Sequence, residues 1–180
     1  FDVVDALPKG LNYASFVGHS ALRTYAMGDR AMEEKATHQD MAVMEMELEN
    51  SLRSGALGLS TSRTFSHRTP AGKPVASRLA SWDEVTRLAS IMKKLGNGIF
   101  QLARENTIPD EVERRREFGC IKELALDIGV PVTFGNTWYR PSHPDIWRQQ
   151  VSMVDEIVAG GGSAMMQGTA TWNCSLRSFE

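Results

Sequence analysis

The run Gly55-Ala56-Leu57-Gly58-Leu59-Ser60-Thr61-Ser62-Arg63-Thr64-Phe65-Ser66-His67-Arg68 decides the fold. A helix-stopping glycine leads straight into a short apolar run. The run then opens into a polar stretch with hydroxyl groups, two arginines and a histidine. A buried parallel strand that delivers a functional loop at its C-terminal end has this pattern. The spacing predicts a strand at 56–60 and a loop over 61–80, where Pro70, Gly72 and Pro74 exclude regular structure. A loop of about twenty residues inside a compact domain is usually functional or disordered.

The same grammar recurs in both directions. Upstream, residues 1–10 read as a helix end or loop, 13–17 as a strand, 19–23 as the loop after it, and 24–36 as a loop with a short helical turn. Residues 37–54 have a helical period: Met41, Met44, Leu48 and Leu52 share a face, and Thr37 suits the N-cap. This methionine-rich stripe reads as core, since methionine fills irregular gaps. Downstream, Ser81 and Glu84 match a capping box for a helix ending at Gly96, with Val85, Leu88, Ala89, Met92 and Leu95 on its apolar face. A strand at 99–103 follows. Next comes a helix from Pro109 to about residue 128, with Phe118, Ile121, Leu124, Ala125 and Ile128 inward. Its block 111–117 reads as a solvated face, and Gly119 as a point of close packing. A strand at 130–134, a helix at 145–159 with Ile146, Met153 and Ile157 inward, and a strand at 164–167 complete the series.

Five strands thus alternate with four helices in a single α/β domain spanning 1–180. Alternation of this kind implies parallel strands joined by crossovers. Two folds fit: an open doubly wound sheet, or part of an eight-stranded barrel that typically needs about 250 residues. In both, the loops after the strands form the working face. Stretches 60–68, 104–106, 136–140 and 167–172 are therefore expected on one side.

Composition excludes several classes. The 180 residues carry a formal charge of -2 and are 42% hydrophobic. There is no cationic excess for nucleic acid and no apolar run of membrane-span length. Cys120 and Cys174 make no disulfide framework and no CxxC site. A cytoplasmic protein is expected. Asn173-Cys174-Ser175 fits a glycosylation sequon, which matters only in a secreted protein. The chain opens on Phe1 rather than methionine, as a processed product or an excised piece does.

Nucleotide sites are disfavoured. No GxGxxG follows a strand, Gly160-Gly161-Gly162 follows a helix, and there is no P-loop. Gly58-Leu59-Ser60 falls one residue short of the serine elbow, which needs a helix directly after it. His19, His38, His67 and His143 fall at no recognised metal spacing. His38 reads as surface, and His143 as a loop or capping residue. His19 reads either as a functional group at a strand end or as an imidazole that bonds neighbouring loops. His67 lies between Arg63 and Arg68, cations that suit a substrate anion; the alternative is an exposed basic loop.

Two motifs bring a family into view. The run Phe16-Val17-Gly18-His19-Ser20-Ala21-Leu22-Arg23, followed by Met27-Gly28-Asp29-Arg30, resembles the N-acyl-D-amino-acid deacylase (D-aminoacylase) branch of the amidohydrolase superfamily. So does Ser54-Gly55-Ala56-Leu57-Gly58-Leu59-Ser60-Thr61-Ser62-Arg63. The run 64–74 resembles the subgroup with a longer loop there, and the likeness continues through Val130-Pro131-Val132-Thr133-Phe134. The resemblance implies a zinc-dependent hydrolase of amide C–N bonds on a (β/α)8 TIM barrel, of which this chain is an internal segment carrying the third to seventh strands. It implies a small-molecule substrate held by Ser60, Ser62, Arg63, His67 and Arg68. The family's histidines after its fifth and sixth strands have no match in Gln101-Leu102-Ala103-Arg104 or Phe134-Gly135-Asn136-Thr137, so no metal ligand carries over. A non-catalytic domain that binds a small anion, or associates as a homo-oligomer through uncovered strand edges, is the second reading.

Overall fold

The computed structural model describes residues 2–8, 10, 12–105, 110–135, 141 and 143–168. In chain order the elements are α1 (Asp2–Asp5), β1 (Val17–Gly18), α2 (His19–Met27) and a 3-10 turn (Gly28–Met32). Then come α3 (His38–Arg53), β2 (Gly58–Ser62), a 3-10 turn (Ala76–Leu79), α4 (Trp82–Leu95) and β3 (Ile99–Ala103). The series ends with α5 (Glu111–Lys122) running into a π turn (Glu123–Ile128), β4 (Val132–Gly135), α6 (Ile146–Ala159) and β5 (Ala164–Gln167).

All four neighbouring strand pairs are parallel, and the sheet order follows the chain, β1 to β5. The strand tips therefore share one end, as the alternation predicted. Two registers matter. Val17, Leu59, Phe100, Val132 and Ala164 form one row across the sheet; Gly18, Ser60, Gln101, Thr133 and Met165 form the next. Successive side chains of a strand point to opposite faces, so the rows belong to different faces. Leu59, Phe100 and Val132, with Leu102 and Phe134, are buried in one cluster with Met44, Leu48, Leu88, Met92, Ile121 and Met153 of the helices. The second row is uncovered enough to leave Met165 65% exposed.

Most boundaries agree with the periodicity, and the departures have local causes. Strand β1 is only Val17–Gly18 because these two residues alone pair with Leu59 and Ser60. Stretch 19–27 is a helix, not a loop. Its inward positions His19, Leu22, Arg23 and Met27 have helical spacing, but two are polar, which disguised the period. Strands β2 and β4 sit two residues later than expected at their starts, so Thr61 and Ser62 are strand. The loop after β2 contains an antiparallel bridge between Arg68 and Pro74 as well as the 3-10 turn. Helix α5 gives way to the π turn at Glu123; Pro109 lies outside the described residues.

Two packing expectations fail. Nothing approaches a Cβ placed at Gly119, so that glycine does not mark close packing. Within block 111–117, Arg114 and Glu117 are buried. The glycine that packing does require is Gly58. Its φ is 155°, and a Cβ there would meet the Ile99 carbonyl oxygen at 1.9 Å.

Caps set the helix starts. The Thr37 side chain accepts from the Asp40 amide, and the Asp40 carboxylate accepts from the Thr37 amide at 2.9 Å. The Arg30 guanidinium and the Thr37 amide hold the Asp40 carboxyl down to about 2. Ser81 accepts from the Glu84 amide at 3.1 Å. The expected return bond is not made: the Glu84 carboxylate is committed elsewhere.

Candidate functional site

Two polar pairs bridge neighbouring strands on the uncovered face. On β2 and β3, Ser60 Oγ donates to Gln101 Oε1. On β4 and β5, Gln167 Nε2 donates to Thr133 Oγ1 at 3.1 Å. Near the tip of β2, Ser62 Oγ pairs with His67 Nδ1 at 2.7 Å. Barrel interiors are commonly filled by bulky branched residues; this face presents hydroxyls and carboxamides instead.

The five residues expected to hold substrate do not converge on one point. Ser60 and Ser62 are on the uncovered face, and His67 bends back to Ser62. Arg63 is on the other side. Its guanidinium donates to the Ala80 carbonyl at 2.5 Å and stacks over Trp82 at 4.7 Å. Arg68 is out in the hairpin, where it is exposed and donates to the Gly72 carbonyl at 3.0 Å. The alternation of a strand explains the split, since Ser62 and Arg63 are consecutive. Gln101, Thr133 and Gln167 were missed as site residues. The signal was present: each is the single polar side chain of an otherwise apolar strand.

Beneath this face lies a buried network centred on Glu84. His19 Nε2 donates to Glu84 Oε1 at 2.8 Å, and the Thr61 hydroxyl donates to His19 Nδ1 at 2.8 Å. Arg23 donates to Glu84 Oε2 at 2.5 Å and to the Glu34 carbonyl at 2.8 Å. His19 and Arg23 are fully buried. Burial pushes the His19 imidazole below its ordinary value, against the pull of Glu84. A neutral imidazole with one donor and one acceptor matches both bonds. Burial raises Glu84, but the bonds from His19 and Arg23 outweigh it and hold the carboxyl low. His19 thus has the bonding role left open by the sequence. Thr61 lies between Ser60 and Ser62, so the network fixes the strand that presents them.

A cleft of about 460 Å³ opens between α4 and α5, lined in part by Arg63, Phe65, Trp82, Glu105 and Glu113. Several of its groups are already engaged. Arg63 is bonded as above, the Glu105 carboxylate accepts from the Phe65 amide, and Glu117 accepts from Arg104 at 2.5 Å. Arg104 also stacks over Phe118 at 4.9 Å. It therefore faces the helices rather than the strand-tip loops with which it was grouped. Positions 106, 136–140 and 169–172 of the expected working face lie outside the described residues.

The donor set does not suit zinc. Zinc takes thiolate, imidazole and carboxylate ligands in clusters of three or four. Among the described residues no three histidine, cysteine, aspartate or glutamate side chains are placed to hold a metal ion. The uncovered row offers hydroxyls and neutral amides. Nor, among the described residues, is any helix long and apolar enough to cross a membrane.

Comparison with known proteins places the fold. No family model matches the chain. An uncharacterized protein of Mycobacterium tuberculosis is 32% identical over 102 residues, 53% of this chain and 17% of that protein. A D-aminoacylase of Alcaligenes xylosoxydans xylosoxydans is 40% identical over 60 residues, 33% of this chain and 12% of that enzyme. The crystal structure of a D-aminoacylase, described as defining a subset of amidohydrolases, superposes with a TM-score of 0.67 at 22% identity, covering 89% of this chain and 31% of that one. An N-acyl-D-glutamate deacylase of Bordetella bronchiseptica, solved with zinc and a phosphonate inhibitor, gives a TM-score of 0.71 at 21% identity, covering 92% and 32%. The chain thus spans about a third or less of the length of the proteins it matches. Its resemblance to the D-aminoacylase branch of the amidohydrolases holds in fold across about nine-tenths of its residues, as a five-stranded sector of that α/β architecture.

Proposed function

We propose that the chain is the substrate-facing sector of a (β/α)8 amidohydrolase that cleaves the amide C–N bond of an N-acyl-D-amino acid or a similar small substrate. The observation that carries this reading is the polar face that β2 to β5 present within a five-stranded parallel sheet, with Ser62 and Gln167 at the C-terminal ends of their strands, on a fold shared with D-aminoacylase. In barrels of this kind chemistry is done at that end. Ser60, Ser62 and His67 contribute hydrogen bonds there. Arg63 stiffens the strand tip through Trp82, and Arg68 offers a cation at the rim. The N-acyl-D-glutamate deacylase was solved with zinc bound. The residues described here do not supply its ligands, so any such ion is held by other parts of the complete protein.

The test is hydrolysis of a panel of N-acyl-D-amino acids by the full reading frame that contains this segment. Turnover is expected for the full frame and none for the 180 residues alone, because the attacking water has to be activated by groups outside these five strands. Turnover by the isolated segment, or none by the full frame, defeats the proposal. A second reading rests on the edges: among the described residues β1 pairs only with β2, and β5 only with β4. Open parallel edges invite pairing between copies. Sedimentation of the chain reads this directly: a dimer supports self-association, and a strict monomer rejects it.

A further inference from the structure

Helix α6 carries two apolar stripes. Ile146, Met153 and Ile157 are buried, with Gln150 among them. The second stripe is Trp147, Val151, Val154 and Val158, at spacings of four, three and four, so it runs straight along the helix. Trp147, Val151 and Val158 are exposed, and Val154 is half-buried. At about 3.6 residues per turn, this stripe lies half a turn round the helix from Gln149 and Glu156. Those two border the groove against α5, where Lys122 donates to Glu156. The bare stripe is therefore on the far flank of α6, beside the β5 edge that is open among the described residues. A continuous apolar row on an exposed helix flank marks an interaction surface.

Charge and spacing name the occupant. On the solvent side of the stripe, Arg148 stands near the N-terminal end of α6 and Asp155 near the C-terminal end, both exposed. Arg148 lies over the Trp147 ring at 4.5 Å, so it leans toward the stripe. Its bond to Asp145 is an exposed pair, and exchanging it costs little. Against a second copy turned end for end, Trp147 meets Val158, Val151 meets Val154, and Arg148 reaches Asp155 of the other copy. The distances agree. As the crossover from β4 to β5, α6 lies over that strand pair. Two copies meeting along their β5 edges set their α6 axes about two strand spacings apart, about 10 Å, and helices pack at about that distance.

We propose that this flank docks a second copy of the chain about a two-fold axis, with α6 antiparallel to α6. The contact is isologous, one patch serving both copies. The inference rests on the self-association reading and names its surface, which the strand edges alone leave open. One helix pair and one short edge make a small interface, so dissociation in the micromolar range is expected.

Sedimentation of the chain over a concentration series tests this. Val151→Lys puts a charge into the middle of the seam and should weaken association at least about tenfold. Arg148→Asp sets like charges opposite each other and should weaken it about three- to tenfold. Adding Asp155→Arg to that variant should restore the parent value within about twofold. The substituted positions are exposed, so urea midpoints should match the parent's, which separates a lost interface from a lost fold. Strand-edge pairing alone predicts no response to Val151→Lys and no rescue by the exchanged charges. A dimer indifferent to Val151→Lys, or one that the double exchange does not restore, overturns this surface and leaves edge pairing standing. A strict monomer overturns both and gives the stripe to another part of the complete protein.

Discussion

The two faces of the sheet are made from alternate residues of the same strands, yet they are built for opposite purposes. The helix-side face stacks Leu59, Phe100, Leu102, Val132 and Phe134 into a continuous buried cluster. The other face carries Ser60, Gln101, Thr133 and Gln167 in hydrogen-bonded pairs. Burying apolar area stabilises at roughly 25 cal/mol per Å², so the first face holds the fold. The second buries little apolar surface and is free to be specified by what it binds. On the proposed reading, stability and recognition are thus separated by a single peptide step.

Substitutions can break or sharpen this division. The largest effect is expected from Phe100→Ala, which leaves a cavity on the helix side and should cost about 3–5 kcal/mol in urea unfolding. Gln101→Ala, one residue along, should cost less than about 1 kcal/mol. Equal losses would show that the open face also carries the fold. Glu84→Ala strands Arg23 and His19 beneath the sheet. It should cost a similar 3–5 kcal/mol, since removing one member of a buried ion pair leaves an uncompensated charge. Thr61→Val keeps the shape but leaves His19 Nδ1 without its donor, for about 1–3 kcal/mol.

Acidity gives a smaller, graded test of the same network. Burial holds His19 below its unfolded value of 6.5, and its partners hold Glu84 below 4.5. In both cases the unfolded chain binds the extra proton first, so stability rises with pH. It is fully present above 6.5 and declines in two stages as pH falls, the first assigned to His19 and the second to Glu84. Urea midpoints measured against pH should show both stages, and His19→Gln should remove the upper one. A flat profile from pH 7 to pH 4 contradicts the buried network. The smallest effect is reserved for Arg87→Ala, which breaks a surface pair with Glu45 and should change stability by less than about 1 kcal/mol.

Legibility in the sequence followed the physics of each element. Helices α3, α4 and α6 were plain because most of their inward residues are apolar at helical spacing. Helix α2 was hidden because His19 and Arg23 occupy inward positions and are satisfied by Glu84 and Thr61, distant residues that no local pattern reveals. The same long-range bond diverted Glu84 from its cap. Strand β2 was misplaced because Thr61 and Ser62 look like loop when read alone, and Leu102 and Ala103 pair with them only in three dimensions. The candidate site was half legible. Ser60 and Ser62 announced themselves in a polar run, whereas Gln101 and Gln167 sit singly in apolar strands.

Gly58 makes the whole arrangement intolerant of drift. With the Ile99 carbonyl against its α-carbon, even alanine would wedge β2 away from β3. Ser60 would then slide out of reach of Gln101. Mutational libraries aimed at altering what this protein accepts should therefore leave position 58 untouched and spend their diversity two residues further along the strand.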